Sequence, residues 1–262
     1  MNIIVCIKQV PGSSKVDIDE TTGVLKRDGA EAKMNPYDLY ALETAVRIRE
    51  MAGGRVIAVT MGPNQAEEMM KEAFMMGVDE AYIFSDRKFA GADVLATAYT
   101  LSQGIRAIGD FDLIVCGKQT TDGDTAQVGP AIAEYLGIPH TAWVGGIPQV
   151  DAEHIVVEQD LVNITQTAEM RYPCLITVEK DIFTPRLPSY KLKKATSGRP
   201  VHILTFDDFI DKNEKNYGLS GSATNVERIF PPAVSDDHVY FEGSSGEKTD
   251  ALYGMLAEKK YV

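Results

Sequence analysis

No stretch of this 262-residue chain approaches the roughly 20 consecutive apolar residues needed to cross a bilayer, so no transmembrane segment is expected. Basic residues are in short supply. Against 38 Asp and Glu stand 26 Lys and Arg, a formal net charge of -12. A surface of that sign does not displace the counterions of a nucleic acid, which excludes nonspecific nucleic-acid binding. Cysteine and histidine are sparse. Cys6, Cys116 and Cys174 lie far apart within apolar runs and read as small buried residues. His140, His154, His202 and His238 are scattered, and no CxxC or HxxxH spacing occurs, so no metal site is expected. The chain also lacks GxGxxG, GxxxxGKS/T and GxSxG. The dinucleotide fingerprint, the Walker phosphate loop and the nucleophile elbow are therefore missing. "MNIIVCIKQVPG" carries neither a basic leader nor a small-residue cleavage site, and a cytoplasmic location is the expectation. No internal repeat is found.

What is present is a regular alternation. "NIIVCIK" (2–8), "RVIAVTMG" (55–62), "EAYIF" (80–84) and "DLIVCG" (112–117) are short continuous apolar runs, the pattern of strands covered on both faces. Between and after them, residues 35–54, 64–77, 91–109 and 126–137 carry helical patterns. Asn35 before Pro36 reads as a helix cap and first position, and Gly53-Gly54 as its stop. Asp93 or a neighbour caps the third helix. "DIDETTGVLKRDG" fits a hairpin turning at Thr22-Gly23. Strands alternating with helices at this spacing predict a doubly wound α/β fold with a mainly parallel sheet. Ligands on such sheets sit beyond the carboxyl ends of the strands.

After about residue 145 the pattern changes. "HIVVEQDLVNITQTAEMRYPCLITVEKD" predicts an antiparallel pair and then a further strand at "CLITVEK". The segment from Arg186 to Arg199, both included, carries five basic residues and no acid, unusual in so acidic a chain. The tail from about 211 has loop composition and little core, and "KTDALYGMLAEK" fits a short helix.

The join "CGKQTTDGDTAQVGPAIAEYLG" (116–137) holds more polar groups than a connection requires. Gly123 and Gly129 permit tight backbone, and the helix start favours an anion. Asp122 and Asp124 would repel a phosphate aimed at them and suit amides or ribose hydroxyls better. Lys118, Gln119, Thr120, Thr121, Thr125 and Gln127 exceed what capping needs. The residues alone point to a nucleotide-sized ligand on a parallel sheet. They leave open a stand-alone adenine-nucleotide-binding regulatory module. A nucleotide-dependent ligase or hydrolase of related fold is also open, with the missing P-loop against it.

Five motifs in order carry a resemblance: "VCIKQVP" at the start, "MNPYDLYALETA" (34–45), "VTMGPNQAEE" (59–68), the 116–137 join, and "VEKDIFTPRLPSYKLKKA" (178–195). With them the chain resembles the beta subunit of electron-transfer flavoproteins up to about residue 205. The resemblance implies a Rossmann-like, adenine-nucleotide-binding domain over 1–205, with antiparallel additions and a partner-recognition arm at about 181–199. It implies a heterodimer with an alpha subunit, around which an extended segment, 206–262, would wrap.

By position, the nucleotide shell would comprise Cys6, the stretch Asn35, Pro36, Tyr37 and Asp38, and Met61. The main cradle would be Gly117, Gln119, Thr120, Asp122, Gly123, Asp124, Thr125, Ala126, Gln127, Val128 and Gly129. In simple carriers this pocket holds AMP. In electron-bifurcating members it holds a second FAD that takes electrons from NADH and divides them between a high-potential path and ferredoxin or flavodoxin. The wording of three segments (34–45, 85–102 and 122–130) resembles the bifurcating, anaerobe-type group more closely. Asp93 and Thr97 would then lie near the isoalloxazine or nicotinamide, the bland reading being a cap and a solvent-facing hydroxyl. No catalytic proton-transfer residue is implied, and the subunit alone would be inactive. On the arm, Ile182 would anchor an acyl-CoA dehydrogenase-like or 2-hydroxy acid dehydrogenase flavoenzyme, with Lys191, Lys193 and Lys194 beside it.

Overall fold

The computed structural model describes residues 1–12, 17–18, 25–26, 32–227 and 238–262. The amino-terminal half opens with strands β1 (Asn2–Cys6), β2 (Gln9–Pro11), β3 (Asp17–Ile18), β4 (Leu25–Lys26) and β5 (Ala32–Met34). Helix α1 (Pro36–Ala52), β6 (Arg55–Met61), α2 (Glu67–Met76), β7 (Glu80–Phe84), α3 (Val94–Ile108), β8 (Leu113–Gly117) and α4 (Val128–Leu136) follow. Then come β9 (His140–Val150), β10 (His154–Leu161), β11 (Ile164–Arg171), β12 (Cys174–Val178), α5 (Tyr190–Ala195), β13 (His202–Leu204), α6 (Gly218–Gly221) and α7 (Ser245–Glu258).

Nine strands form one sheet in the order β11-β10-β9-β12-β8-β1-β6-β7-β13. From β9 to β13 every pairing is parallel, whereas β10 pairs antiparallel with β9 and β11. This is the doubly wound, mainly parallel α/β sheet with antiparallel additions that the alternation predicts. The period-two geometry of a strand sends neighbours to opposite faces. Ile3, Val5 and Ile7 join Leu42, Val46, Met70 and Phe74 of α1 and α2 in one core. Ile4 joins Leu101, Ile105 and Ile132 of α3 and α4 in the other. Both faces of β1 are thus removed from water, which is why residues 3–7 are apolar throughout.

Several expectations change on inspection. The pairing of Asp17 with Lys26 and Ile18 with Leu25 makes a hairpin, but its turn at Thr22-Gly23 lies outside the described residues. Asn35 does occupy the cap position of α1, yet its side chain makes no cap hydrogen bond because it bonds elsewhere. Strand β9 was not anticipated. The tail from about 211 is not without core: Tyr217 is buried in the second core beside Phe84 and Phe89, where Phe206 and Phe209 just before it also pack. Tyr217 also donates its hydroxyl to the Asp211 carbonyl at 2.8 Å. The first compact unit accordingly runs Met1–Glu227, and Arg228–Val262 forms a second, within which α7 carries a Ser244–Glu247 capping box.

Ending the chain at residue 205 should therefore abolish cooperative unfolding in urea, whereas ending it at 227 should preserve it. Tyr217→Ala should cost roughly 3–5 kcal/mol, the range for truncating a buried aromatic, read from urea titrations followed by circular dichroism.

Candidate functional site

Strand β1 lies between β6 and β8. From β1 the chain builds outward through β6 and β7 on one side, then returns to add β8 and β12 on the other. A reversal of this kind leaves a crevice beyond the carboxyl ends of β1 and β8, where open α/β sheets bind ligands. Cys6 and Cys116 are register partners at that edge, Cys6 half-buried and Cys116 buried.

A knot of buried polar groups closes the base of the crevice. Asn35, fully buried, donates its Nδ2 to the Gln119 carbonyl at 2.8 Å and accepts from the Thr121 amide through Oδ1 at 3.2 Å. Its own amide donates to the Lys8 carbonyl at 2.8 Å. Asp38 Oδ2 takes the Lys8 amide at 2.7 Å, and the Asn35 side chain and Gly117 amide also support this carboxylate. A Cβ on Gly117 would collide with Asp38 Oδ1 and the Tyr37 carbonyl, so the close approach requires glycine. Burial pushes the Asp38 carboxyl up to about 7, and the donors around it and the Lys8 charge only partly offset that.

The loop from 118 to 127 grows out of this knot. Lys8 Nζ holds both Asp122 oxygens at 2.8 Å, and the Gly123 amide donates to Asp122 Oδ1 at 2.8 Å and Thr120 Oγ1 at 3.3 Å. Burial raises the Asp122 carboxyl, but Lys8, Thr120 and Gly123 outweigh it and hold the group below its usual range. Asp124 accepts from Gln119 Nε2, which also lies 3.5 Å from the Tyr37 hydroxyl. Asp124 and Ala126 have φ of 51° and 55°, left-handed values that L-residues seldom adopt and that cluster at binding sites. Residues 121–125 are exposed. Gln127 does not cap α4 with its side chain, so the helix start keeps unpaired amides in its first turn. There Gly129 is pressed against Thr177 of β12, whose hydroxyl accepts the Trp143 amide at 2.9 Å.

The structure thus brings Asn35, Asp38, Tyr37, Gly117, Gln119, Thr120, Asp122, Gly123 and Asp124 into one hydrogen-bonded assembly. Pro36 sits half-buried within it, while Thr125, Gln127 and Val128 continue the loop towards α4. Met61 ends β6 on the same edge and packs against the second core. Asp93 and Thr97 stand apart at the start of α3. The Asp93 carboxylate caps the Ala96 amide at 3.0 Å and takes the Thr224 amide and hydroxyl at 2.9 and 3.0 Å. On the arm, Ile182 is half-buried against the first core, and Lys191, Lys193 and Lys194 are exposed on α5. The prominent apolar residue there is Leu187, 87% exposed, which sequence reasoning passed over. Its only local signal is its place between Arg186 and Pro188. Among the described residues, no cluster of His, Cys, Asp or Glu could hold a metal, and no helix is long and apolar enough to cross a membrane.

A family model described as "Electron transfer flavoprotein domain" matches residues 22–208. An electron transfer flavoprotein subunit beta of Thermoanaerobacterium thermosaccharolyticum is 43% identical over 264 residues, with 100% of both chains covered. A protein of Acetobacterium woodii named caffeyl-CoA reductase-Etf complex subunit CarD is 39% identical, again over 100% of both. The acryloyl-CoA reductase electron transfer subunit gamma of Anaerotignum propionicum is 35% identical over the whole of both chains.

The folded chain binds the Asp38 proton more tightly than the unfolded chain does. The contribution of this group to stability is therefore full below about pH 4 and falls as pH rises to about 7. Glu43, Glu50, Asp93 and Asp122 are held low and act in the opposite sense only at more acid pH. The full Asp38 shift corresponds to a decline on the order of 4 kcal/mol. Urea titrations of Asp38→Asn between about pH 4.5 and 8, from just above the ordinary carboxylate value to about one unit past the raised one, should lose this slope.

Proposed function

This chain belongs to the electron transfer flavoprotein family, among its beta subunits, and on that premise we propose that it holds a redox-active FAD in the crevice between β1 and β8. It does so as the partner of an alpha subunit, in a complex that takes electrons from NADH and divides them between ferredoxin or flavodoxin and a flavin-dependent dehydrogenase. The observation that carries this reading is the tie from Asn35 to Gln119, which fixes a polar, exposed loop at the one sheet edge where the topology leaves a crevice. The residues fit an adenine nucleotide. The Asp122 and Asp124 carboxylates are already engaged by Lys8 and Gln119, so they do not stand free against a phosphate. The left-handed backbone at Asp124 and Ala126 and the α4 start would supply amides for phosphates. Asn35, Asp38 and Gln119 would orient the adenosine portion. When bound, the flavin supplies the one- and two-electron chemistry that no side chain here can.

The chain's own part is to bind, orient and exclude water. Asp38 keeps a titratable carboxyl under the knot, shielded from solvent, and Gly117 lets the backbone close over it. The bifurcating assignment draws support from relatives named as a subunit of a caffeyl-CoA reductase-Etf complex and as an electron transfer subunit of an acryloyl-CoA reductase. Of the segment 206–262, the second compact unit would reach the alpha subunit: α7 has no buried residue and exposes Leu252 and Tyr253. The arm at 181–199 would dock the dehydrogenase. Because Ile182 packs on the core while Leu187 stands in solvent, Leu187 takes the anchoring role, with the exposed lysines of α5 beside it. A cytoplasmic location accords with these soluble redox partners.

Co-expression with the alpha subunit and a cofactor count on the purified heterodimer tests the reading. Two FAD per heterodimer is the expected result; one FAD with one AMP would make the complex a simple carrier, and no nucleotide would overturn both. Replacing Asp122 and Asp124 together with Ala should weaken retention of the beta-site nucleotide roughly tenfold without unfolding the domain, the effect of losing a charge-assisted hydrogen bond. Unchanged stoichiometry and affinity would remove the loop from the site.

A further inference from the structure

The arm that carries Leu187 is fastened to the domain by a side chain that the nucleotide site does not use. Arg186 is clamped between two carboxylates of α1. Its Nε lies 2.8 Å from Glu43 Oε2 and its Nη2 3.1 Å from Glu43 Oε1. Its Nη1 and Nη2 reach Glu50 Oε1 and Oε2 at 2.8 and 3.2 Å, and its own amide donates to Glu43 Oε2 at 3.0 Å. Glu43 is buried, with a side-chain exposure of 2%, and Arg47 Nε shares it at 2.7 Å. Burial favours the neutral acid, yet the two guanidinium groups overcome it and keep Glu43 ionised below its usual range. A buried carboxylate of this kind binds its fork tightly, because losing the partner strands the charge.

The other side of Leu187 is fastened as well. The Ser189 amide donates to the Met75 carbonyl at 2.9 Å, and Ser189 Oγ caps α5 by accepting from the Leu192 amide at 3.3 Å. Between these two fastenings the sequence reads Thr184-Pro185-Arg186-Leu187-Pro188. Pro188 restricts Leu187 to extended backbone, and in extended backbone successive side chains point to opposite sides. With Arg186 drawn into α1, Leu187 is turned outward, and it is 87% exposed.

We propose that Arg186 is a positioning residue for partner docking: its fork onto Glu43 and Glu50, with the Ser189 fastening, holds Leu187 in a fixed, outward-facing orientation for an apolar pocket on the dehydrogenase. This inference rests on the reading that the arm docks that enzyme through Leu187. A tip ordered before encounter loses less conformational freedom on docking, so loosening the fork weakens docking and leaves electron transfer within the docked complex intact.

The test uses the purified heterodimer and the acyl-CoA dehydrogenase of the same source as electron-transfer partner. It measures KM and kcat for that enzyme, and amide hydrogen exchange across 184–190. Arg186→Gln should raise KM roughly tenfold with kcat changed less than about twofold, flavin content unchanged and exchange at 186–189 faster. Arg186→Lys keeps the charge but cannot form the planar fork, so it should recover only part of the loss. Glu50→Gln cuts the outer half of the clamp at a half-exposed carboxylate. It should raise KM about threefold and supplies the comparison if Arg186→Gln folds poorly. If Leu187→Ala raises KM while Arg186→Gln and Glu50→Gln leave both KM and exchange at wild-type values, the positioning role is wrong. Faster exchange with unchanged KM overturns it equally. A Leu187→Ala heterodimer with wild-type KM, or a wild-type heterodimer that passes no electrons to this enzyme, would instead remove the docking reading beneath it.

Discussion

Asn35 is fully buried, and both polar atoms of its side chain are committed across the sheet edge. It ties the exit of β1, the start of α1 and the loop after β8, segments that lie 27 and 84 positions apart in sequence from Asn35 (35 minus 8, and 119 minus 35). An unsatisfied amide in such a place costs on the order of 1–3 kcal/mol, so the three segments are fixed together or the fold loses that much. Everything functional at this edge follows from the tie. It places Gly117 under Asp38, aims the Gln119 side chain at Asp124, and leaves the exposed part of the loop free to face a ligand. The position that sequence statistics would assign to helix capping is used here for tertiary architecture instead.

Helix α1 carries both buried acidic side chains found among the described residues. Asp38 at its first turn belongs to the crevice edge of the sheet, and Glu43, buried one and a half turns on, holds the arm. Five residues of helix separate them, about 7.5 Å of axial rise. The two groups sit in opposite electrostatic regimes. Asp38 is surrounded by neutral donors and a single lysine, so desolvation wins and its carboxyl rises. Glu43 meets two guanidinium groups at direct contact, so pairing wins and its carboxyl falls. One 17-residue helix, packed along Leu42, Val46 and Ile48, therefore serves as the common rigid reference for the crevice and for the arm. Their relative placement is set by helix geometry rather than by loops.

Much of the fold was legible because burial on both faces writes itself into a strand as an unbroken apolar run, as in Ile3-Ile4-Val5 or Leu113-Ile114-Val115. Strand β9 was not, because Gly145, Gly146 and Pro148 interrupt it and only Val144 of its residues is fully buried. The loop between β8 and α4 announced itself through surplus polar groups, but nothing local says that Asp122 and Asp124 spend their charge on Lys8 and Gln119. The same limit applies to Asp93: cap and ligand share one signature, and only the approach of Thr224, 131 positions away, shows where its second oxygen goes. Tyr217 was hidden in a segment of loop composition because its core partners Phe89 and Tyr99 come from distant parts of the chain. Leu187 is the converse case. Exposure of an apolar side chain is a property of what surrounds it, and only the clamped Arg186 beside it gives that exposure a direction.

Charge is arranged on the same principle throughout this acidic chain. Carboxylates at the crevice and beneath the arm each have a cation in contact: Asp122 has Lys8, and Glu43 and Glu50 have Arg186. The remaining negative charge is spread elsewhere, while α5 keeps Lys191, Lys193 and Lys194 in solvent without an acid between them. Exposed lysines at that separation contribute little to folding and are screened over about 8–10 Å at physiological salt. Their physical effect is on encounter rate and orientation with an acidic surface, beside an apolar tip whose direction is already set. Under the proposed docking, steering by α5 and seating by Leu187 would be separable contributions, the first sensitive to salt and the second to the integrity of the Arg186 fork.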